Sequence, residues 1–172
     1  ERACCFPVGV SLGASWNVEL LEAVGAALGD EARSKGAQVL LGPTINIQRT
    51  PIGGRGFECY SEDPLLTGRL AAAFTSGVQS KQVAVCLKHF VCNDTEYKRH
   101  VVSSEVDERT LREIYLRPFE IAVKQSGATH RIGASCRPGK ALENRPFAGA
   151  WPWSCSEAFA GNRKARPTTG IR

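Results

Sequence analysis

Two short runs of apolar residues, each preceded by a helix-like stretch, constrain the fold of this chain more than any other feature. The runs cover residues 39–41 and 83–87, and neither alternates polar with apolar residues. A strand that is apolar on both faces is typical of a parallel sheet covered by helices. Parallel neighbours in one sheet need a crossover connection between them, which is usually a helix. The pattern therefore predicts an α/β fold built from βαβ units.

Three helices are predicted around these strands from capping residues and apolar spacing. Asn17 suits the start of the first helix, which runs to about residue 35, and Gly36 suits its end. Asp63 suits the start of the second, and the proline that follows fits its first turn. The third begins near Asp107 and runs to about residue 124. The predicted apolar faces are Leu20, Leu21, Val24 and Leu28, then Leu66, Leu70, Ala73, Phe74 and Val78, then Leu111, Ile114, Tyr115 and Phe119.

The composition divides the chain near residue 130. Val, Ile and Leu supply 30 of the first 130 residues but only 3 of the last 42. So few branched aliphatic side chains cannot bury enough apolar surface to offset the conformational entropy lost on folding. We therefore expect residues 1–130 to form the folded domain and residues 131–172 to be an irregular, disordered or non-native tail. A shifted reading frame or a translated intron is our hypothesis for this break, and an unbroken transcript reading frame through residues 131–172 would contradict it.

The net charge of +5 comes entirely from that tail, which argues against a nucleic-acid partner. Residues 1–130 carry 14 basic and 15 acidic residues, whereas residues 131–172 carry 8 and 2. The basic residues of the tail are scattered among Pro, Gly and Ala instead of being grouped with aromatic residues. No run of about 18 apolar residues occurs, so no membrane helix is predicted. The seven cysteines lack CxxC spacing and indicate neither a metal site nor a disulfide framework.

Polar residues follow both predicted strands, at the edge where α/β folds place their functional side chains. Lys88 and His89 end the second strand, and Arg55 lies in a glycine-rich loop after the first. These side chains offer several donors for the hydroxyl groups of a sugar, and the guanidinium of Arg55 could fork across two adjacent ones. A lysine at a strand end more often pairs with a buried carboxylate, so spacing alone leaves a purely structural role open for Lys88.

The acidic residues near these positions do not form a recognisable catalytic pair. The candidates are Glu58, Glu62, Asp63 and Asp94. Asp63 and Glu62 are explained by the start of the second helix, and Glu58 is suited to orient Arg55. Glycoside hydrolysis needs two carboxylates with opposed roles, and the spacing identifies no such pair here.

A series of short motifs runs in order from about residue 3 to about residue 128. The motifs are Cys5-Phe6-Pro7, Leu12-Gly13-Ala14-Ser15-Trp16, Leu41-Gly42-Pro43 through Asn46-Ile47, Gly54-Arg55-Gly56-Phe57-Glu58, Ser61-Glu62-Asp63-Pro64, Gly77-Val78-Gln79-Ser80, Lys88-His89-Phe90 and the stretch from Val106 to Glu113. Together they resemble the N-terminal barrel domain of the family 3 glycoside hydrolases, the family of the β-glucosidases. The resemblance implies a partial (β/α)8 TIM-like barrel, which we expect to be truncated at both ends because a complete barrel needs roughly 250 residues.

The resemblance also implies roles for individual residues. Arg55, Lys88 and His89 match the residues that line the family's subsite for the terminal glucose, and Arg99 matches a basic residue that follows the Lys-His pair. The family hydrolyses terminal β-D-glucosyl residues with retention, using an Asp nucleophile and a Glu acid/base. The family's Ser-Asp-Trp-like nucleophile motif does not occur in this sequence. We therefore expect no catalytic residue in this chain and no activity from the chain alone.

The expected partner is a β-glucoside or an oligosaccharide, and no metal or organic cofactor is implied. Two other classes of function stay open from the sequence. A sugar-binding α/β module without hydrolysis would use the same basic residues, and a generic α/β domain would use the motifs for structure only.

Overall fold

Helices and parallel strands alternate along the chain, so the prediction of an α/β fold is confirmed. The computed structural model describes residues 3–98, 102 and 104–126, and the backbone of residues 132–136. The strands pair in parallel in the order β1-β2-β3. The elements are α1 (Gly9–Gly13), α2 (Val18–Ser34), β1 (Val39–Leu40), α3 (Pro64–Ser80), β2 (Ala84–Phe90), α4 (Glu108–Thr110), α5 (Arg117–Gln125) and β3 (Ile132–Cys136), with a 3-10 turn at Gly56–Glu58 and a π-helical turn at Leu111–Tyr115.

The predicted capping residues begin and end the helices as expected. The side chain of Asn17 accepts a hydrogen bond from the Leu20 N–H at 2.9 Å. Asp63 accepts from the first turn of α3, and Asp107 accepts from the Thr110 N–H at 2.9 Å. Gly36 follows α2 with φ +75°, a conformation that favours glycine. The bonds to Asn17, Asp63 and Asp107 satisfy backbone N–H groups in the first turn that have no partner within their own helix.

The contact between α2 and α3 is made by glycine as much as by large apolar side chains. The residues of α2 that are buried are Leu21, Gly25, Gly29 and Ala32. A Cβ on Gly25 would lie 2.3 Å from the Phe74 carbonyl oxygen, and one on Gly77 would lie 2.0 Å from the Glu22 carbonyl oxygen. The two helix backbones therefore touch. Leu20, predicted on the apolar face, is 42% exposed because the buried line runs through the glycines instead.

The third predicted helix is helical over most of its length but is divided by a wider turn. α4 leads into the π-helical turn, where the Leu116 N–H donates to the Leu111 carbonyl oxygen at 2.8 Å. α5 begins directly afterwards with Pro118 in its first turn. Proline has no N–H to bond to the carbonyl four residues earlier, so a regular helix cannot continue through this position unchanged.

The first strand is less buried than its composition predicts. Val39 is 53% exposed and Leu41 is 65% exposed, whereas Val85 and Leu87 of β2 are each 1% exposed. Among the described residues β1 pairs with β2 alone, so it forms an edge of the sheet. The prediction that residues 39–41 are buried is therefore wrong for Val39 and for Leu41, which follows the strand, because one side of β1 has no neighbour among the described residues. Leu40 packs against the core as predicted.

The third strand lies in the segment that composition predicts to be irregular. β3 pairs with β2 in the register Val85↔Ile132 and Leu87↔Ala134. Regular structure thus reaches beyond the boundary at residue 130. Residues 127–131 and 137–172 lie outside the described residues, so the division into a domain and a tail stays a prediction for them.

Helix length also bears on the prediction about membranes. In the described part of the chain, every helix is too short or too polar to cross a lipid bilayer.

Candidate functional site

The loop that follows β1 first runs beside β2 and then turns away. The Lys88 N–H donates to the Pro43 carbonyl oxygen at 3.1 Å, and the Ile45 N–H donates to the Lys88 carbonyl oxygen at 2.7 Å. These bonds place the start of the loop against the carboxyl end of β2. The polar side chains that the sequence predicts at two strand ends are therefore brought to one edge of the sheet.

Arg55 is held by the carboxylate three residues further along the loop. Its Nε donates to Oε1 of Glu58 and its Nη2 donates to Oε2, each at 2.6 Å. This two-point pairing fixes the plane of the guanidinium as well as its position. The Thr44 hydroxyl donates to Glu58 Oε2 at 3.2 Å and steadies the carboxylate from the other side. The prediction that Glu58 orients Arg55 agrees with this geometry.

His89 meets Arg55 from β2. His89 is only 7% exposed, and its Nε2 lies 3.0 Å from Arg55 Nη1. A guanidinium can only donate, so Nε2 is the acceptor and the neutral ring carries its proton on Nδ1. Three of the five N–H groups of Arg55 are thus engaged. Within the described part of the chain, one N–H on Nη1 and one on Nη2 have no partner and are open to an external ligand.

The charges of the cluster support one another. The hydrogen bonds from Arg55 hold the pKa of Glu58 below its ordinary value, with smaller contributions from Thr44 and the positive charge of Lys88. The same carboxylate raises the pKa of Arg55 above its ordinary value. Lys88 is half-buried at the end of β2. The site therefore keeps a cationic, donor-rich character with one fixed carboxylate inside it.

Asn46 connects the loop to His89 through the main chain. The His89 N–H donates to Asn46 Oδ1 at 2.7 Å, and Asn46 Nδ2 donates to the His89 carbonyl oxygen at 2.9 Å. Asn46 is 4% exposed. From the sequence, Asn46 and Thr44 belong to a motif of the family resemblance, but no role in the site is predicted for either. The only other local signal for Asn46 is a polar residue between two isoleucines.

A second polar cluster lies beside the first. The Tyr115 hydroxyl donates to Asp94 Oδ2, and the guanidinium carbon of Arg49 lies 5.7 Å from the centroid of the Tyr115 ring. Burial raises the pKa of Asp94, while the bond from Tyr115 and the charge of Arg49 act in the opposite direction. Burial, followed by the bond to Asp94, raises the pKa of Tyr115. This cluster ties the loops after β1 and β2 to the π-helical turn.

A small, open cavity of about 20 Å³ lies between the loops that follow β1 and β2. Arg55 and Asp94 contribute to its wall, whereas Lys88 and His89 do not. The cavity therefore borders the cluster around Arg55 without enclosing all of the predicted residues.

Three of the four predicted site residues occupy one place in the structure. Arg55 contacts His89 directly, and Lys88 precedes His89 in β2. Arg99 lies outside the described residues. Within the residues that the structure covers, no group of three or more His, Cys, Asp and Glu side chains is arranged to hold a metal ion.

The fold and the site define the class of protein first: an α/β domain with a polar binding site at the carboxyl edge of a parallel sheet. Residues 1–135 match the sequence model of the glycosyl hydrolase family 3 N-terminal domain. The chain belongs to this family, which confirms the resemblance found in the sequence motifs.

Individual relatives point to the same family. A β-glucosidase from Rhizobium radiobacter is 60% identical over 126 residues, and a probable β-glucosidase I from Emericella nidulans is 57% identical over 122 residues. These matches cover 73% and 71% of this chain but only 15% and 14% of the relatives. The chain thus spans about a seventh of the length of these curated relatives.

Solved structures agree with the sequence matches. The structure of β-glucosidase 3B from Thermotoga neapolitana in complex with α-D-glucose is 50% identical, with a TM-score of 0.72. The match covers 78% of the present chain and 19% of the Thermotoga neapolitana chain. A β-glucosidase from Bifidobacterium adolescentis is 42% identical, with a TM-score of 0.73, over 83% of this chain and 21% of its own.

Proposed function

We propose that this chain supplies part of the subsite for the terminal glucose of a family 3 β-glucosidase. The observation that carries the proposal is the fixed orientation of the Arg55 guanidinium. Glu58 and His89 hold it through three hydrogen bonds, and two of its N–H groups have no partner among the described residues. Two parallel donors on one rigid plane suit two adjacent sugar hydroxyls. Lys88 adds a third cationic donor, and Arg99 is the proposed fourth member of the set.

The proposed setting of the subsite is a partial (β/α)8 barrel. Three neighbouring parallel strands in chain order, with α3 packed between α2 and α5, are the arrangement that repeated βαβ units of a barrel require. The exposed apolar residues Val39, on β1, and Leu41, directly after it, agree with this proposal, because a further strand would cover them in a closed barrel.

The proposed reaction of the complete enzyme is hydrolysis of terminal non-reducing β-D-glucosyl residues with retention. We assign binding roles to this chain and no catalytic carboxylate, so the chain alone is expected to bind glucose weakly and not to hydrolyse glucosides. A sugar-binding module without hydrolysis would show the same binding. D-glucose binding by a gene product whose full length has no hydrolase activity would favour that alternative.

The first test is a thermal unfolding experiment with two enantiomers. Ligand that binds only the native state raises its melting temperature, whereas a general solute effect is the same for D-glucose and L-glucose. We expect D-glucose to raise the melting temperature of the purified chain more than L-glucose does, as followed by far-UV circular dichroism. Arg55→Lys should abolish the difference, because an ammonium cannot replace the guanidinium fork.

The matched control is Arg69→Lys, since Arg69 is exposed on α3 and takes no part in the cluster. This variant should keep the difference between the enantiomers. Equal effects of both enantiomers on the wild-type chain, or a difference that survives Arg55→Lys unchanged, would contradict the proposed subsite.

A further inference from the structure

Asn46 pairs with the strand β2 through its side chain, directly after a stretch of the loop that pairs with β2 through its main chain. Next to β2, the backbone of residues 43–45 makes two parallel-type bonds with Lys88. The next residue of β2 is His89, and its N–H and C=O are both paired by the amide of Asn46, at 2.7 and 2.9 Å. The side-chain amide therefore pairs with His89 in the way that a peptide group of a neighbouring strand would.

The surroundings fix this amide in place. Ile45 and Ile47, on either side of Asn46, are 0% and 4% exposed. Burial of both neighbours anchors the loop, and a buried amide keeps its position because an unpaired polar group would be costly there. Further along, the loop turns at Pro51 and Ile52 and carries Arg55 back towards His89.

Only a carboxamide fits both contacts. A side-chain amide has one group that accepts and one that donates, as a peptide group does. A carboxylate of the same shape could accept from the His89 N–H but could not donate to the His89 carbonyl. An aliphatic side chain could do neither and would leave both main-chain groups of His89 without this partner.

We propose that Asn46 is a positioning residue of the sugar subsite, which fixes His89 and, through the His89 ring, the guanidinium of Arg55. This inference rests on the proposed function, since the subsite is what the positioning serves. Asn46 joins the two halves of the cluster, the loop after β1 and the end of β2, without touching the ligand itself.

The first measurement reads the His89 ring and needs no sugar. The chain contains three histidines, so a long-range 1H–15N spectrum at neutral pH is simple, and His89→Gln identifies the signals of His89. The wild-type ring should show a single tautomer, protonated on Nδ1. Asn46→Ala should move it towards the averaged pattern of an unconstrained ring, and Asn46→Asp, which keeps one of the two contacts, should lie between.

The second measurement is affinity for D-glucose. Asn46→Ala should weaken it about fivefold to thirtyfold, the range that corresponds to losing one or two modest hydrogen bonds. Asn17→Ala is the matched control, because it removes an asparagine whose side chain bonds to the first turn of its own helix, α2, and not to a residue of the cluster. It should leave both the His89 spectrum and the affinity unchanged.

The two measurements separate the possible failures. A His89 spectrum that Asn46→Ala and Asn46→Asp leave as in the wild type, or that Asn17→Ala changes equally, would overturn the positioning role. A spectrum that responds as expected in a chain that does not bind D-glucose would support the positioning role and refute the proposed function instead.

Discussion

At the scale of single residues, the Arg55–Glu58 pair is the firmest part of the site. Their side chains are 24% and 26% exposed, and two bonds of 2.6 Å join them. Such a pair is worth more than a solvated surface pair, because less water competes for it. It also makes the stability of the chain depend on pH.

Glu58→Gln tests that dependence. Arg55 lowers the pKa of Glu58 in the folded chain below the 4.5 of the free side chain. The pair therefore stabilises the fold above about pH 4.5, and this contribution is lost as the pH falls through the lowered pKa. We expect the variant to be less stable than the wild type by about 1 kcal/mol at neutral pH. The gap should narrow as the pH falls below about 4.5 and through the lowered pKa of the folded carboxylate, because the wild-type side chain then becomes protonated in both states.

Glu62→Gln is the control for this experiment, because Glu62 is exposed at the start of α3. Its melting temperature should track that of the wild type across this pH range. A gap between wild type and Glu58→Gln that is as wide below the lowered pKa of Glu58 as at neutral pH would contradict the assignment.

At the scale of elements, the sequence predicts what depends on near neighbours in the chain. The caps Asn17, Asp63 and Asp107 bond to backbone groups two or three residues away, so their role is visible in the spacing. The pairing of Arg55 with Glu58 is equally local. Asn46 and His89 are 43 residues apart, and an asparagine in a loop has many other uses, so no spacing reveals that contact.

The packing of α2 on α3 also escapes the sequence analysis. Apolar periodicity counts large side chains, whereas this contact depends on glycines that let two backbones approach. Leu21 is buried and Val24 and Leu28 pack against the core, as predicted, but Leu20 is exposed and the centre of the contact runs through Gly25 and Gly29. Periodicity therefore finds the helix and most of its buried face, but not the glycines that bring the backbones together.

Gly77→Ala tests the close helix contact. The added methyl would lie 2.0 Å from the Glu22 carbonyl oxygen and 2.8 Å from the Ala26 nitrogen, both backbone atoms that cannot move alone. We expect a loss of about 1–3 kcal/mol in the free energy of unfolding, despite the better helix propensity of alanine. Urea unfolding followed by circular dichroism measures it.

Gly56→Ala is the comparison, since a Cβ at Gly56 meets no atom within 4 Å and its φ is not in the left-handed region. Its unfolding free energy should stay within about 0.5 kcal/mol of the wild type. Equal stability of Gly77→Ala and Gly56→Ala would show that the two helices do not pack this closely.

At the scale of the whole molecule, the change in composition near residue 130 does not coincide with the end of regular structure. A segment with few branched aliphatic residues is expected to lack regular structure, yet β3 pairs with β2, whose Val85 and Leu87 are buried. A strand of five residues can form wherever a neighbouring strand has main-chain N–H and C=O groups to pair with it, and β2 provides these groups. Composition describes a long segment on average and cannot resolve a single short strand at its start.

The last prediction concerns activity and follows from the carboxylates around the site. Retaining hydrolysis needs a nucleophile and a protonated acid roughly 5–5.5 Å apart. Glu58 is unsuited to be the acid, because Arg55 lowers its pKa and occupies both of its oxygens. Asp94 has a raised pKa but accepts the hydrogen bond of Tyr115. Asp63 caps a helix.

We therefore expect the purified chain to release 4-nitrophenol from 4-nitrophenyl β-D-glucoside at the background rate, even where D-glucose stabilises it. Glu58→Gln and Asp94→Asn should show that same background, which separates true turnover from a contaminating glucosidase. Turnover by the wild-type chain that either variant abolishes would mean that this chain holds a working carboxylate. Binding without turnover would instead agree with a division of labour in which these residues grip the sugar and groups elsewhere in the enzyme carry out the chemistry.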